Sequence, residues 1–294
     1  FVSCLLQAWF NLYGPYETLN GLIIWFQKPI DSNHTGITGL FSNQNYSGLW
    51  LTALLPFLLA ALKTTKLKFL TILFISLDIY LIFLTTSKNA FLGLVIIFII
   101  LFKFKSRFFK IILGMIGFSL LISSYLGGID FLNINFLPIR IYEKISSFNF
   151  FTSSRFEIFK ITLDLISRRP LWGWGKSLFP DLYFSRGGIH NIDHTHSMPL
   201  ELAFNYGLPV ALILISIIFI LILKAWLKTN SFYTLDKVDF FNKCWIVSSV
   251  VIAISHLNDI TYYDGKISLM VWILLAGNRC IINENSSNEN IERK

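Results

Sequence analysis

The sequence predicts an all-α, polytopic helical membrane protein with a large, partly helical loop on the outer face of the bilayer, and three observations predict it. Hydrophobic residues make up 54% of the 294 and charged residues only 14%, where a soluble chain carries roughly a quarter. The apolar residues gather into blocks bounded by lysine, the pattern of a chain that crosses a bilayer repeatedly. Lysine and arginine in the short connections then fall almost wholly on one side once the blocks alternate in direction.

The expected membrane segments, in order, are Phe1–Tyr13, Tyr46–Leu62, Phe69–Leu84, Ala90–Phe102, Ile111–Leu126, Leu208–Leu223, Cys244–His256 and Ile267–Ile282. Several fall short of the roughly 20 residues of a full span, and flanking lysines can snorkel to supply the difference. Ala90–Phe102 also reads as half of a re-entrant hairpin. If the first segment runs outward, the inner side receives Lys63, Lys66, Lys68, Lys103, Lys105, Arg107, Lys110, Lys224, Lys228, Lys237, Lys243 and the basic residues of the tail. The short outer connections hold only Lys28, Lys88 and Lys266. The chain therefore divides into N-terminal membrane helices over 1–126, an outer loop over 127–206 expected to carry the active site, C-terminal membrane helices over 207–282, and a polar inner tail over 283–294 expected to be disordered. It opens on Phe1 inside an apolar stretch, which reads as a missing natural N-terminus with a signal peptide or further helices before it.

A net charge of +8 invites a nucleic-acid reading, but the cations flank apolar blocks and serve as topology signals, so no nucleic-acid partner is expected. The 3 cysteines are widely spaced and form neither a disulfide framework nor a metal pattern. Between membrane segments, Gly14–Asn45 contains GLIIW, apolar enough to lie along the interface.

The long outer loop carries the chemistry. SSRFEIFKITLDLISRRP, from Ser153, reads as an amphipathic helix: Ser154 and Glu157 fit a capping box, Phe156, Phe159, Leu163 and Ile166 recur at helical spacing, and Pro170 ends the run. Arg155 sits in its first turn, the unfavourable end of the helix dipole for a cation. It is either a solvated arginine or one retained for an anionic ligand. LWGWGKSLFPDLYFSRGG follows, with Arg169 just before it. Trp172, Trp174, Phe179, Tyr183 and Phe184 offer faces for sugar stacking or for the aromatic belt of the bilayer.

NIDHTHSMPLELAFNYG then places His194 and His196 beside a helix start near Ser197 and Pro199, with Glu201 in the first turn and Gly207 as the stop. His196 at a helix N-terminus favours a neutral imidazole able to accept a proton, and Asp193 is close enough in sequence to orient a ring. Three readings fit: a metal pair with Asp181, Asp193 or His190 as further ligands, interfacial polar residues, or a base beside arginines. Upstream, Asn43, Gln44 and Asn45 stand at the mouth of the second segment, as helix caps or sugar ligands. Lys88 either snorkels or adds to a cationic phosphate pocket.

Taken together, GLFSNQNYSG, TTSKNAFLGL, SSRFEIFKITLDLI, RPLWGWG and HTHSMPLELAFNYGLP, in this order relative to the helices, resemble the O-antigen ligase and O-antigen polymerase superfamily of bacterial envelope proteins. The resemblance implies a glycosyltransferase of the bacterial inner membrane that works on the periplasmic side. It would move a glycan from an undecaprenyl pyrophosphate carrier to a lipid- or glycan-linked acceptor, with no cofactor and no metal. His196 would then activate the acceptor hydroxyl and Arg155 bind the donor pyrophosphate, with Lys88, His194, Asn45, Arg169 and Trp174 in substrate contact. The position of Lys88 is usually arginine in that superfamily, and lysine lacks the bidentate fork. A transporter or flippase for an anionic or lipid-linked solute is the alternative, with Asp78 as its one clear intramembrane charge; a non-catalytic scaffold leaves Arg155 and His196 without purpose.

Overall fold

The structure, a computed structural model, describes residues 17–18, 23–24, 36–41, 43–101, 154–189, 192–230 and 237–292. The expected segments Phe1–Tyr13 and Ile111–Leu126, together with His190, lie outside the described residues. The helices are α1 Gln44–Thr64, α2 Lys68–Thr85, α3 Lys88–Leu101, α4 Ser154–Arg168, α5 Phe179–Ser185, α6 Met198–Tyr206, α7 Leu208–Asn230, α8 Lys237–Asn258 and α9 Gly265–Glu292, with a 3₁₀ turn at Thr261–Tyr263. A short antiparallel pair, β1 Glu17–Thr18 with β2 Ile23–Ile24, sets Glu17 opposite Ile24 and Thr18 opposite Ile23. GLIIW thus contributes the strand pair Ile23–Ile24.

Among the described residues, five helices (α1, α2, α7, α8 and α9) are long and apolar enough to cross a membrane. The fold class is that of an all-α polytopic membrane protein. Several helices run past their apolar blocks. α8 starts seven residues before Cys244 and α7 continues seven beyond Leu223, because backbone groups in an apolar layer must be satisfied within the helix whatever the side chains are. α3 has 14 residues, about 21 Å at 1.5 Å per residue, short of the roughly 30 Å hydrocarbon core. The polar tail departs from expectation: α9 continues to Glu292. Extending a helix that is already nucleated fixes one residue per hydrogen bond gained, so polar residues can follow an established span.

The chain forms two compact units, Phe1–Phe102 with Ser216–Lys294, and Lys103–Ile215. In the first, α1 packs on α2, α3 and α8, around Leu49, Leu55, Leu81, Ile97, Val247 and Val251. Small residues permit the close approach. A Cβ on Gly48 would lie 2.9 Å from the side chains of Ser87 and Ala90, and one on Gly93 2.6 Å from Thr52. The Ser248 hydroxyl donates to the Ala53 carbonyl at 2.7 Å, and the Asn278 amide to the Ser249 hydroxyl at 2.9 Å.

One end of this unit gathers the start of α1, the α2–α3 turn and the α8–α9 connection. There the Asn45 amide donates to Asp259 at 2.9 Å, and its carbonyl oxygen accepts from the Ser87 hydroxyl at 3.0 Å. Asn43 caps α1 by accepting from the Asn45 N–H at 2.8 Å. Toward the opposite ends of the same helices, cations lie against aromatic rings or carbonyls: Lys63 over Phe240, Lys243 over Trp226, and Lys228 on the Ile282 carbonyl. This is how long basic side chains sit at a membrane boundary.

Candidate active site

In the second unit, α4, α5, α6 and the first turns of α7 close around Ile158, Leu165, Phe179, Tyr183, Phe204 and Ala211. α4 is a helix as expected, and the expected stripe is only half of its inward face. Ile158, Thr162, Leu165 and Ile166 are buried and Phe159 packs against them, whereas Phe156 and Leu163 are exposed. Apolar residues occur on both faces, so periodicity alone does not separate the inward ones. Thr162 reads as polar, yet its hydroxyl is satisfied by the Ile158 carbonyl at 2.6 Å and packs inside. Glu157 also reaches beyond its own helix. Its carboxylate accepts from the Tyr183 hydroxyl at 2.8 Å and from the Ile189 N–H at 3.3 Å. Those bonds tie the first turn of α4, which carries half-buried Arg155, to the chain leading into the histidines.

The turn after α4 docks on the end of α6. Trp174 N–H donates to the Phe204 carbonyl at 2.7 Å and Gly175 N–H to that of Asn205 at 3.1 Å. Gly173 sits at φ +67, where a Cβ would come within 2.5 Å of the Phe204 oxygen, so only glycine fits. The Trp174 indole N–H donates to the Leu165 carbonyl at 2.7 Å, and the Arg169 guanidinium lies 4.3 Å over its ring, a cation–π pair.

α6 begins and ends as its sequence predicts, after Ser197 and before Gly207 at φ 85. Just before it, His194 and His196 set their rings edge to face, 4.4 Å between centroids. Both are half-buried, and their Nδ1 atoms are buried. His196 adopts φ 55, the left-handed region that costs an L-residue about 1–2 kcal/mol. Glu201, one turn into α6 and only 3% exposed, holds that conformation. One carboxylate oxygen accepts from the Thr195 N–H at 3.1 Å and the other from the Asn205 amide at 3.1 Å. The Thr195 hydroxyl donates to the Ser197 carbonyl at 3.0 Å, closing the loop between the two histidines.

Sequence reasoning reduced Glu201 to a first-turn acid and passed over Thr195. The available signal was an acid four residues before an asparagine on one helix face. Asp193 is exposed; the ring that lies against His196 is that of His194. Among the described residues no three His, Cys, Asp or Glu side chains come together as a metal site.

The expected site residues fall in both units. Arg155, Arg169, Trp174, His194 and His196 belong to the second. Asn45 and Lys88 belong to the first, where both polar atoms of Asn45 are engaged by Asp259 and Ser87, and Lys88 is exposed at the start of α3.

No curated protein matches the chain. A family model described as O-antigen ligase matches residues 69–215, half of the 294. The matched region runs from α2 through the turns and helices that present Arg155 and His196 to the start of α7. With a matching family model, apolar spanning helices and a histidine pair held before α6, the chain belongs to the O-antigen ligase family of membrane proteins that act in cell-surface glycan assembly.

Proposed function

We propose that this protein transfers a glycan from an undecaprenyl pyrophosphate carrier to an acceptor hydroxyl on the periplasmic side of the bacterial inner membrane, as ligase or polymerase, with His196 as the general base. The observation that carries the reading is the conformation of His196. A non-glycine residue at φ 55 beside a second imidazole, clamped by a buried carboxylate, is strain of the kind kept where a side chain must be aimed.

The step is an inverting displacement. The acceptor oxygen attacks the anomeric carbon, its proton passes to His196, and the bond from that carbon to the pyrophosphate oxygen breaks with the electron pair leaving on the carrier. Negative charge develops on the departing pyrophosphate, and a guanidinium placed there stabilises the transition state more than the ground state. Arg155 takes that role, and the step as proposed needs no metal. His194 orients the His196 ring. Arg169, stacked on Trp174, supplies further positive charge to the donor phosphates. Asn45 supports the end of α1 through its bonds to Asp259 and Ser87.

Purified protein, a synthetic lipid-pyrophosphate glycan and an acceptor test this reading. His196→Ala lowers the transfer rate about 10²–10⁴-fold, the range for loss of a general base, while donor binding persists. Arg155→Ala weakens donor binding. Near-normal transfer by His196→Ala removes the proposed base. In a deletion strain carrying His196→Ala, single repeats on the carrier or core identify a polymerase, and long chains stranded on the carrier identify a ligase. A wild-type surface glycan profile refutes the assignment.

A further inference from the structure

The two tryptophans of WGWG, separated only by Gly173, have opposite fates. Trp174 is half-buried and spends its indole N–H on the Leu165 carbonyl. Trp172 is 86% exposed and the preceding Leu171 62% exposed, an apolar pair on the tip of a turn where water solvation is unfavourable. The backbone beneath them is fixed to the start of a membrane span. The Pro170 carbonyl accepts from the Leu208 N–H at 2.7 Å, and the Leu171 carbonyl lies so close to Gly207 that a Cβ there would come within 2.1 Å of its oxygen. Leu208 opens α7, whose Leu208, Val210, Leu212 and Ile213 are all exposed, as in a helix that faces lipid. The tip thus shares the depth at which α7 meets the apolar layer. Cations frame it: Arg168, which pairs with Asp164 at 3.1 Å, and Lys176 are exposed on either side.

We propose that the Leu171–Trp172 turn inserts into the outer interface of the bilayer itself, with phospholipid as its partner. The indole would lie at headgroup depth and the flanking cations on lipid phosphates. Depth selects this occupant. An indole tied to the first residue of a span lies where an apolar ring with a polar edge is most stable, among headgroups and the upper acyl chains. Insertion holds α4–α6, and with them His196, against the membrane surface. The proposal rests on α7 spanning the membrane and not on the transfer chemistry, so either can fail alone.

The test uses the full chain in proteoliposomes of phospholipid brominated either near the glycerol end or near the chain terminus, without donor. Trp172 emission is read as the difference between wild type and Trp172→Phe. The expected difference spectrum is blue-shifted and quenched several-fold more by shallow than by deep bromine. A red-shifted difference spectrum untouched by either lipid places the indole in water and overturns the proposal. Quenching that appears only after lipid-linked donor is added assigns the turn to the substrate's lipid and overturns it equally. Leu171→Cys carrying an environment-sensitive dye, in a chain with Cys4, Cys244 and Cys280 replaced by serine, gives a second reading of depth that does not depend on Trp172→Phe. A dye emitting as in water refutes insertion.

Discussion

Replacing Glu201 by alanine removes the acceptor that holds the histidine segment to α6, the carboxylate oxygen on Thr195 N–H, while the other oxygen, on the Asn205 amide, orients the carboxylate from within α6. A hydrogen bond to a charged group contributes about 1.5–3 kcal/mol. That matches or exceeds the roughly 1–2 kcal/mol by which the left-handed conformation of His196 is disfavoured, which is why φ 55 persists. Without the clamp the sign reverses. The left-handed state becomes a minor one, occupied about 3–15% of the time, and turnover falls about 6- to 30-fold in proportion. The assay is kcat and KM for glycan transfer with purified Glu201→Ala. kcat falls and donor KM stays near wild type, because the donor phosphates are bound elsewhere. Glu201→Gln separates geometry from charge. Its amide oxygen can accept from Thr195 N–H while its NH₂ donates to the buried Asn205 Oδ1 once that amide flips, so most activity returns. Wild-type kcat in Glu201→Ala would refute the clamp. A Gln variant as slow as the Ala variant would shift the effect from position to charge.

Further outcomes follow from the same geometry. His196→Gly and His196→Ala are equally inactive, but the glycine variant melts higher, by about 1 kcal/mol of unfolding free energy, because glycine adopts φ 55 without strain; equal melting in detergent would argue against strain there. Gly173→Ala destabilises by well over about 1 kcal/mol, since backbone of α6 blocks its Cβ, whereas Gly175→Ala, with open space at φ +90, loses only the left-handed term of about 1 kcal/mol; thermal unfolding of the pair reads the difference. Asn45→Ala leaves donor KM unchanged and lowers stability by about 1–3 kcal/mol, as it strips Asp259 and Ser87 of their partner; a raised donor KM with unchanged melting would instead make Asn45 a substrate contact.

The parts of this protein legible in its sequence are those set by composition over a local window. The spans α1, α2, α7, α8 and α9 were found because a bilayer rejects unsatisfied backbone and admits only long apolar helices. α6 was bounded at Ser197 and Gly207 because cap and stop chemistry is local too. His196, Arg155 and their neighbours were singled out by residue type, since few side chains accept a proton or clamp a phosphate.

Tertiary structure decided what depends on residues far apart. Only packing against α5 and α6 selected which apolar stripe of α4 goes inside. Asn45 met an acid 214 positions away, which no window contains. The indoles of WGWG look alike in sequence, but one found a carbonyl to bond and the other a bare surface above α7. Glu201 turned back across its own helix start to fix a histidine in a conformation that the chain alone disfavours. Propensity and hydropathy add along the chain, so sequence carries them. Burial, strain and hydrogen-bond partnership are properties of pairs brought together by folding, and they exist only once the pairs meet.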